Sequence, residues 1–354
     1  MPVELRELYV EAAPLINRAI ENVLSEQCDI EWLNKVSRGV GQHWDVEIIQ
    51  KTLFEPFNYY LKNGGKRYRP FVTYMVLKAF DQKPDPYLPI LAISEFLHVA
   101  SLICDDVADN SRLRRGRPTA HLVYGLPVVI NLAFTMAHYP GVLIDQIKLS
   151  ENIRRQLYTL LNWGIFSSCV GIAGDVIWPR RPGKPVPDSQ ILQHMIDKTC
   201  PLTFVVPAML GAILASAPER VLVNLKGWGT YTGAMYQIVD DMLNLRPLTP
   251  EWGKEWAEDL NENKRTLLMS HARQRLKAHD LEKLDQLLEQ KVLTDDNKTE
   301  IVSLMDKTGA FEYASRIVQL LLKKAIQSLG RTGLPMENVK PLKLFAELVA
   351  SRDF

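Results

Sequence analysis

The chain is 354 residues long, with 47% apolar and 23% charged residues, enough to bury a sizeable core and unlike a disordered segment. A net charge of +1 excludes a global field that would draw it to nucleic acid or an anionic membrane, so any anion must be held by local clusters. Its four cysteines, Cys28, Cys104, Cys169 and Cys200, lack zinc-site or disulfide spacing, which favours a reducing, cytoplasmic setting.

Met1 to Glu7 mixes acids and bases and lacks the apolar core of a signal peptide. Over residues 4–31, Leu5, Leu8, Ala12, Leu15, Ile16, Ala19 and Val23 recur at helical spacing. Residues 29–45 lose that period and read as a connection. Residues 48–61 are helical again and stop at Asn63-Gly64-Gly65, so residues 1–50 read as a helical N-terminal extension. The stop opens the run Gly64-Gly65-Lys66-Arg67-Tyr68-Arg69-Pro70, where glycines admit a close ligand and three bases follow within four positions. Taken alone, the run reads as a helix stop plus a solvated basic turn rather than a ligand site. A helix over residues 70–80 and a loop over 81–86 lead to a long apolar-periodic helix over 87–109. His98 on that helix, alone, reads as a core or surface histidine.

The helix ends in Cys104-Asp105-Asp106-Val107-Ala108-Asp109, and Arg112, Arg114, Arg115 and Gly116 follow. Asp105 and Asp109 project from one face, one turn apart, and repel each other unless a cation lies between them. Oxygen-only ligation suits a hard divalent ion such as Mg²⁺, and planar guanidiniums suit paired phosphate oxygens. Metal and anion together suggest a diphosphate; a solvated helix end with local ion pairs is the alternative.

Apolar helices follow over residues 122–147 and 151–177, the second ending in Gly171-Ile172-Ala173-Gly174-Asp175. Residues 123–145 and 200–216 invite a membrane reading. Pro127, Asn131, His138 and Pro140 break the first, and the second is short and carries Pro201 and Pro207. Both read as buried helices of a bundle, and no transmembrane segment is expected. After a proline-rich basic loop, 178–187, Asp188 or Ser189 can cap a helix carrying Asp197-Lys198-Thr199-Cys200-Pro201, which the proline should kink. The helix over 218–245 contains Gln237-Ile238-Val239-Asp240-Asp241-Met242-Leu243-Asn244, a second oxygen-bearing trio at i, i+1 and i+4. This repetition on a second helix argues against coincidence. Residues 246–264, with Lys254, Asp259 and Lys264, fit a mobile lid or a plain surface loop. Residues 265–354 read as helical scaffold. With no strand alternation, heptads or short repeats, the chain reads as all-α, a single domain over 1–354.

In this order and spacing, the motifs resemble those of the trans-isoprenyl diphosphate synthases, in the branch of geranylgeranyl and longer polyprenyl diphosphate synthases. The resemblance covers roughly residues 53–268. It rests on the basic run at Gly64–Pro70, His98 through Gly116, Lys198-Thr199, Gln237 through Asn244, and Gly253-Lys254 with Lys264. It implies the isoprenoid synthase fold, an antiparallel helix bundle around a deep apolar cavity, and a homodimer. It further implies Mg²⁺, three ions with the substrate diphosphate, carried by Asp105, Asp106 and Asp109 on one wall and Asp240, Asp241 and Asn244 on the other. Arg114, Lys198 and Lys264 would hold an allylic diphosphate, with Thr199, Gln237 and Lys254 also at the substrate. Lys66, Arg69, His98 and Arg115 would hold isopentenyl diphosphate. Asp105, Asp106, Lys198 and Asp240 would carry catalysis, which needs cations where negative charge develops and a dry pocket for the carbocation, but no protein nucleophile. Ala100 and Ser101 lie about one helical turn before Asp105 and are small, so a product beyond C15, about C20, is expected. Phe134 and Met136 on the following helix are candidate floors.

The chain departs from the family's pattern in three places. Ile172 follows Gly171 where the family has glutamine; Cys200-Pro201 follows Lys198-Thr199 where it prefers glycine; and Asn131-Leu132-Ala133-Phe134 is more apolar than usual. These changes raise a class I terpene cyclase, which would ionise a prenyl diphosphate and fold the cation on itself. A cyclase has no need of Lys66, Arg69, His98 and Arg115, which favours the synthase. A non-catalytic partner subunit is the third reading, and the presence of both aspartate motifs counts against it.

Overall fold

Where apolar residues recur every three or four positions, the chain coils into helices that bury those faces. The structure, a computed structural model, describes residues 1–23, 27–37, 43–62, 65–178, 186–247, 256–290 and 292–351. Among these residues the chain is all-α but for one two-stranded hairpin. It divides into two compact units, one of Val3–Ile165 with Val206–Pro218, the other of Met1–Pro2 and Phe166–Val205 with the chain from Glu219.

The first unit is built on helices Val3–Val23, Tyr68–Ala79, Leu88–Ala108 and Leu126–Asp145. Phe54, Phe57, Phe71 and Phe96 are fully buried in it, and Phe57 stacks on Phe96 with ring centroids 4.8 Å apart. Three details differ from the sequence reading. The connection over 29–45 contains the short helix Ile30–Val36, started by Asp29, whose carboxylate accepts the Trp32 N–H at 2.6 Å. The helix read from Pro70 begins at Tyr68, because a proline in the first turn lacks only an N–H that has no intrahelical partner. The helix read over 122–147 is two, Ala120–Tyr124 and Leu126–Asp145, broken at Gly125.

The second unit holds helices Asp188–Cys200 and Glu219–Leu245, followed by Leu267–Arg275, Ala278–Leu288, Asp295–Lys307, Ala310–Arg331 and Met336–Ser351. Trp228, Phe204 and Phe345 anchor its core, Phe204 lying 6.4 Å from Trp228 and 6.1 Å from Phe345 between ring centroids. The expected kink at Pro201 takes the form of a π-helical turn, Pro201–Val205. Proline removes one N–H from the ladder, and a wider turn absorbs the loss.

Four segments, Asp85–Ala108, Leu126–Asp145, Glu151–Ile177 and Asp188–Leu214, are long and apolar enough to cross a membrane by length and composition. Both stretches weighed from the sequence overlap this set.

Candidate active site

The first unit gathers the basic run and the first aspartate motif around one hairpin. Leu113–Arg114 pairs antiparallel with Arg117–Pro118, and Arg115 and Gly116 form the turn with φ of +53° and +76°. Two successive positive φ values define a type I′ turn, and strands of two residues are too short to show alternation in sequence. The turn carries the Arg115 guanidinium against Gly65, whose φ is +131°. A Cβ there would lie 3.0 Å from an Arg115 nitrogen, so the glycine is what lets the basic run close on the arginine.

Not every base of the run is available to a ligand. Arg67 donates to Glu95 at 2.7 Å and to the Leu61 carbonyl at 3.0 Å, and Glu95 is 2% exposed. Arg67 therefore fixes the start of helix Tyr68–Ala79. Tyr9 holds the Lys66 carbonyl at 2.9 Å, and the Lys66 ammonium lies 5.9 Å from the Tyr68 ring centroid. His98 sits among these cations: burial first, then Arg69, Arg115, Arg114 and Arg67, hold its pKa well below the ordinary imidazole value. Its ring is neutral at physiological pH, with a buried Nδ1 that has no hydrogen-bond partner among the described residues. Arg69, Arg115, Arg114 and Arg67 thus make an electropositive neighbourhood around His98.

At the end of helix Leu88–Ala108, Asp105 and the C-cap Asp109 are partly exposed whereas Asp106 is wholly buried. One Asp106 oxygen accepts both Nε of Arg114, at 2.8 Å, and its terminal nitrogen; the other accepts the Tyr60 hydroxyl at 3.2 Å. Burial raises the Asp106 pKa, and Arg114 and Tyr60 oppose that rise. The expectation of Asp106 as an open metal ligand and Arg114 as an open diphosphate ligand meets a different arrangement: each is the other's partner.

The second aspartate helix, Glu219–Leu245, sets its middle carboxylate against a neutral amide. Asp240 is partly exposed, while Asp241 is 5% and Asn244 3% exposed. Asp241 accepts from Gln237 at 2.8 Å, and Gln237 accepts from the Thr199 hydroxyl at 2.7 Å. Burial, then the Asp259 charge, push the Asp241 carboxyl well above the usual range, with Gln237 and Lys264 opposing and Asp240 adding to the rise. The Asn244 carbonyl groups receive the chain where it returns to this helix: the main-chain one takes the Ala257 N–H at 3.0 Å, the side-chain one the Asp259 N–H at 3.4 Å. Lys264 bridges Asp259 at 3.2 Å and Glu262 at 2.5 Å. Gly64, Gly253 and Lys254 lie outside the described residues.

Lys198 occupies a cluster that the motifs did not reveal. Its ammonium is paired with one oxygen of Asp175, and His194 Nε2 lies 2.6 Å from the other. Burial pushes the Asp175 carboxyl up, but His194 and Lys198 outweigh it and hold the pKa below the usual carboxylate range. The cluster exists because helices Glu151–Ile177 and Asp188–Cys200 meet at glycines. A Cβ on Gly171 would overlap the Lys198 backbone, and one on Gly174 would lie 2.6 Å from His194 Nδ1. A carboxylate at the end of an apolar helix, preceded by two glycines three apart, was the available signal. Among the described residues no three His, Cys, Asp or Glu side chains converge as a ready-made metal site, so a cation here would need ligands besides protein carboxylates.

The family model for polyprenyl synthetases matches residues 50–305, more than half of the chain. Geranylgeranyl pyrophosphate synthase D of Phomopsis amygdali is 29% identical over 290 residues, 80% of this chain and 64% of that protein, so the chain spans less than two thirds of that relative. A crystal structure of geranylgeranyl pyrophosphate synthetase from Pyrococcus horikoshii superposes with a TM-score of 0.84 at 23% identity, covering 99% of this chain and 100% of the other. A geranylgeranyl pyrophosphate synthase from Corynebacterium glutamicum, complexed with isoprenyl diphosphate and magnesium, gives 0.81 at 20% identity over 98% and 99% of the two chains. The fold is that of the isoprenoid synthases, and the chain belongs to the polyprenyl synthetase family, a family of prenyltransferases.

Proposed function

We propose that the protein condenses an allylic prenyl diphosphate with isopentenyl diphosphate, releasing diphosphate and leaving a trans-prenyl diphosphate about C20 long. The observation that carries this reading lies within the first unit. One helix presents partly exposed Asp105 and Asp109 and also carries His98, which sits among Arg67, Arg69, Arg114 and Arg115. Carboxylates suited to a hard cation thus share one stretch of chain with a histidine beside Arg69 and Arg115, whose guanidiniums suit phosphate oxygens.

The donors fit Mg²⁺: all are oxygens, and the exposed carboxylates are one helical turn apart. In this reading Asp105, Asp109 and Asp240 are metal ligands, with three ions at the substrate diphosphate. Bound Mg²⁺ supplies positive charge where the departing diphosphate becomes negative. Lys198, Thr199, Gln237, Lys254 and Lys264 serve the allylic diphosphate. Lys66, Arg69, His98 and Arg115 hold isopentenyl diphosphate, His98 as a neutral hydrogen-bonding group. Asp106 and Arg114 brace each other, and Asp241 with Asn244 brace the second helix.

Ala100 is buried and Ser101 half-buried, its hydroxyl bonded to the His98 carbonyl at 2.8 Å, so no aromatic closes that stretch of the helix. Phe134, one candidate floor, is 67% exposed, whereas Met136 is buried. Leu126, Ile130 and Phe134 make an exposed apolar row at four-residue spacing, 48%, 56% and 67% exposed, which suits burial against a second copy in a homodimer. We read residues 1–354 as one functional domain of a soluble, cytoplasmic enzyme.

The test is to incubate the protein with Mg²⁺ and geranyl, farnesyl or geranylgeranyl diphosphate, with and without isopentenyl diphosphate, and analyse both phases by mass spectrometry. Elongated diphosphates are expected only when isopentenyl diphosphate is present. A hydrocarbon or alcohol formed without it would contradict the proposal, as would no turnover in any mixture.

A further inference from the structure

Asp175 is shared. Lys198 takes one carboxylate oxygen and His194 the other, and the three side chains are only 14%, 19% and 12% exposed respectively. His194 and Lys198 are four residues apart on helix Asp188–Cys200, so both reach Asp175 from one face. The imidazole is held on two sides: the absent side chain of Gly174 leaves room for Nδ1, and the Trp178 ring lies 4.7 Å away between centroids. A ring so confined fixes where the Asp175 carboxylate can turn.

We propose that His194 is a positioning residue for substrate binding: by occupying one oxygen of Asp175 it stops the carboxylate from closing on Lys198 with both. An ammonium has three donors and no preferred fork, so a carboxylate with two free oxygens can hold it from either and follow it as it moves. A carboxylate tied at one oxygen offers a single fixed contact. That contact orients the lysine towards the phosphate oxygens it is to meet. Asp175 therefore aims Lys198, and His194 sets how tightly. The inference rests on the reading of Lys198 as a ligand of the allylic diphosphate.

Steady-state kinetics with farnesyl and isopentenyl diphosphates and Mg²⁺, on the parent and the variants H194F, H194Q and K198A, test this directly. H194F keeps a ring beside Gly174 and Trp178 but removes the donor. It should raise KM for farnesyl diphosphate about ten- to a hundredfold, the scale of one hydrogen bond to a charged group, with KM for isopentenyl diphosphate and kcat changed by less than about twofold. H194Q, which restores an N–H donor, should recover most of the loss. If H194F does not fold, G174A serves instead, since its Cβ displaces the imidazole while the polar group stays in the chain, and the same shift in KM is expected. An unchanged KM for farnesyl diphosphate in H194F or G174A, while K198A raises it, would overturn the role of His194 and leave Lys198 as a ligand. Equal rises in both KM values with a lowered melting temperature, not rescued by H194Q, would make His194 merely structural. An unaltered KM for farnesyl diphosphate in K198A would instead remove the reading of Lys198 itself.

Discussion

The two aspartate helices carry oxygen-bearing side chains at i, i+1 and i+4, yet they settle the middle carboxylate in different ways. On helix Leu88–Ala108 the flanking Asp105 and Asp109 stay partly exposed, while Asp106 is buried on Arg114 and Tyr60. On helix Glu219–Leu245 only Asp240 stays partly exposed; Asp241 and Asn244 turn inward, and Asp241 has a neutral amide where Asp106 has a guanidinium. A pattern that looks like three equal ligands is, in each helix, a division between side chains that face solvent and side chains that fasten the helix. The difference also accounts for Asn244. A third carboxylate at that buried position would add charge beside an Asp241 that is already reluctant to ionise.

The comparison can be broken most severely at the exposed carboxylates. On the proposed reading D105A and D240A should each lower kcat by at least about a thousandfold, since several kcal/mol of charge stabilisation would depend on the ions assigned to them; an active double mutant would refute the metal assignment. Next comes the brace of the first helix. D106N leaves Arg114 without its buried anion and should cost about 3 kcal/mol of stability in chemical denaturation. On the second helix, N244D should cost about 2 kcal/mol at neutral pH by placing an unpaired charge in the same pocket. The smallest effect is that of D241N. The folded protein binds the Asp241 proton more tightly than the unfolded chain does, so this group subtracts stability as pH rises above the unfolded value. D241N removes that penalty. Its melting temperature relative to the parent should therefore be higher at pH 8 than at pH 5, and the opposite trend would show that Asp241 is held as an anion.

Much of this was legible in the chain itself. Helix Glu151–Ile177 lies where its apolar period places it, the first aspartate trio closes helix Leu88–Ala108 with Asp109 as its C-cap, and the second trio lies within helix Glu219–Leu245. Local rules govern such features: period, caps and breakers act within a few residues. What escaped depends on contacts between distant residues. Asp106 meets Arg114 across eight positions only because a type I′ hairpin brings the arginine back, and the strands of that hairpin are two residues long. Asp175 meets His194 across nineteen positions only because Gly171 and Gly174 let two helices approach. The commitment of Arg67 to Glu95, 28 positions apart, likewise could not be read from a run of three bases.

The central claim is that exposure, rather than position in the motif, decides which carboxylates serve the metal. It is tested most directly by the Mg²⁺ concentration giving half-maximal rate in D105N and D106N. D105N should raise that concentration by about tenfold or more. D106N should shift it far less while losing thermal stability. A shift in D106N equal to or larger than that in D105N would contradict the account, because the buried, arginine-paired carboxylate would then be the one that serves the metal.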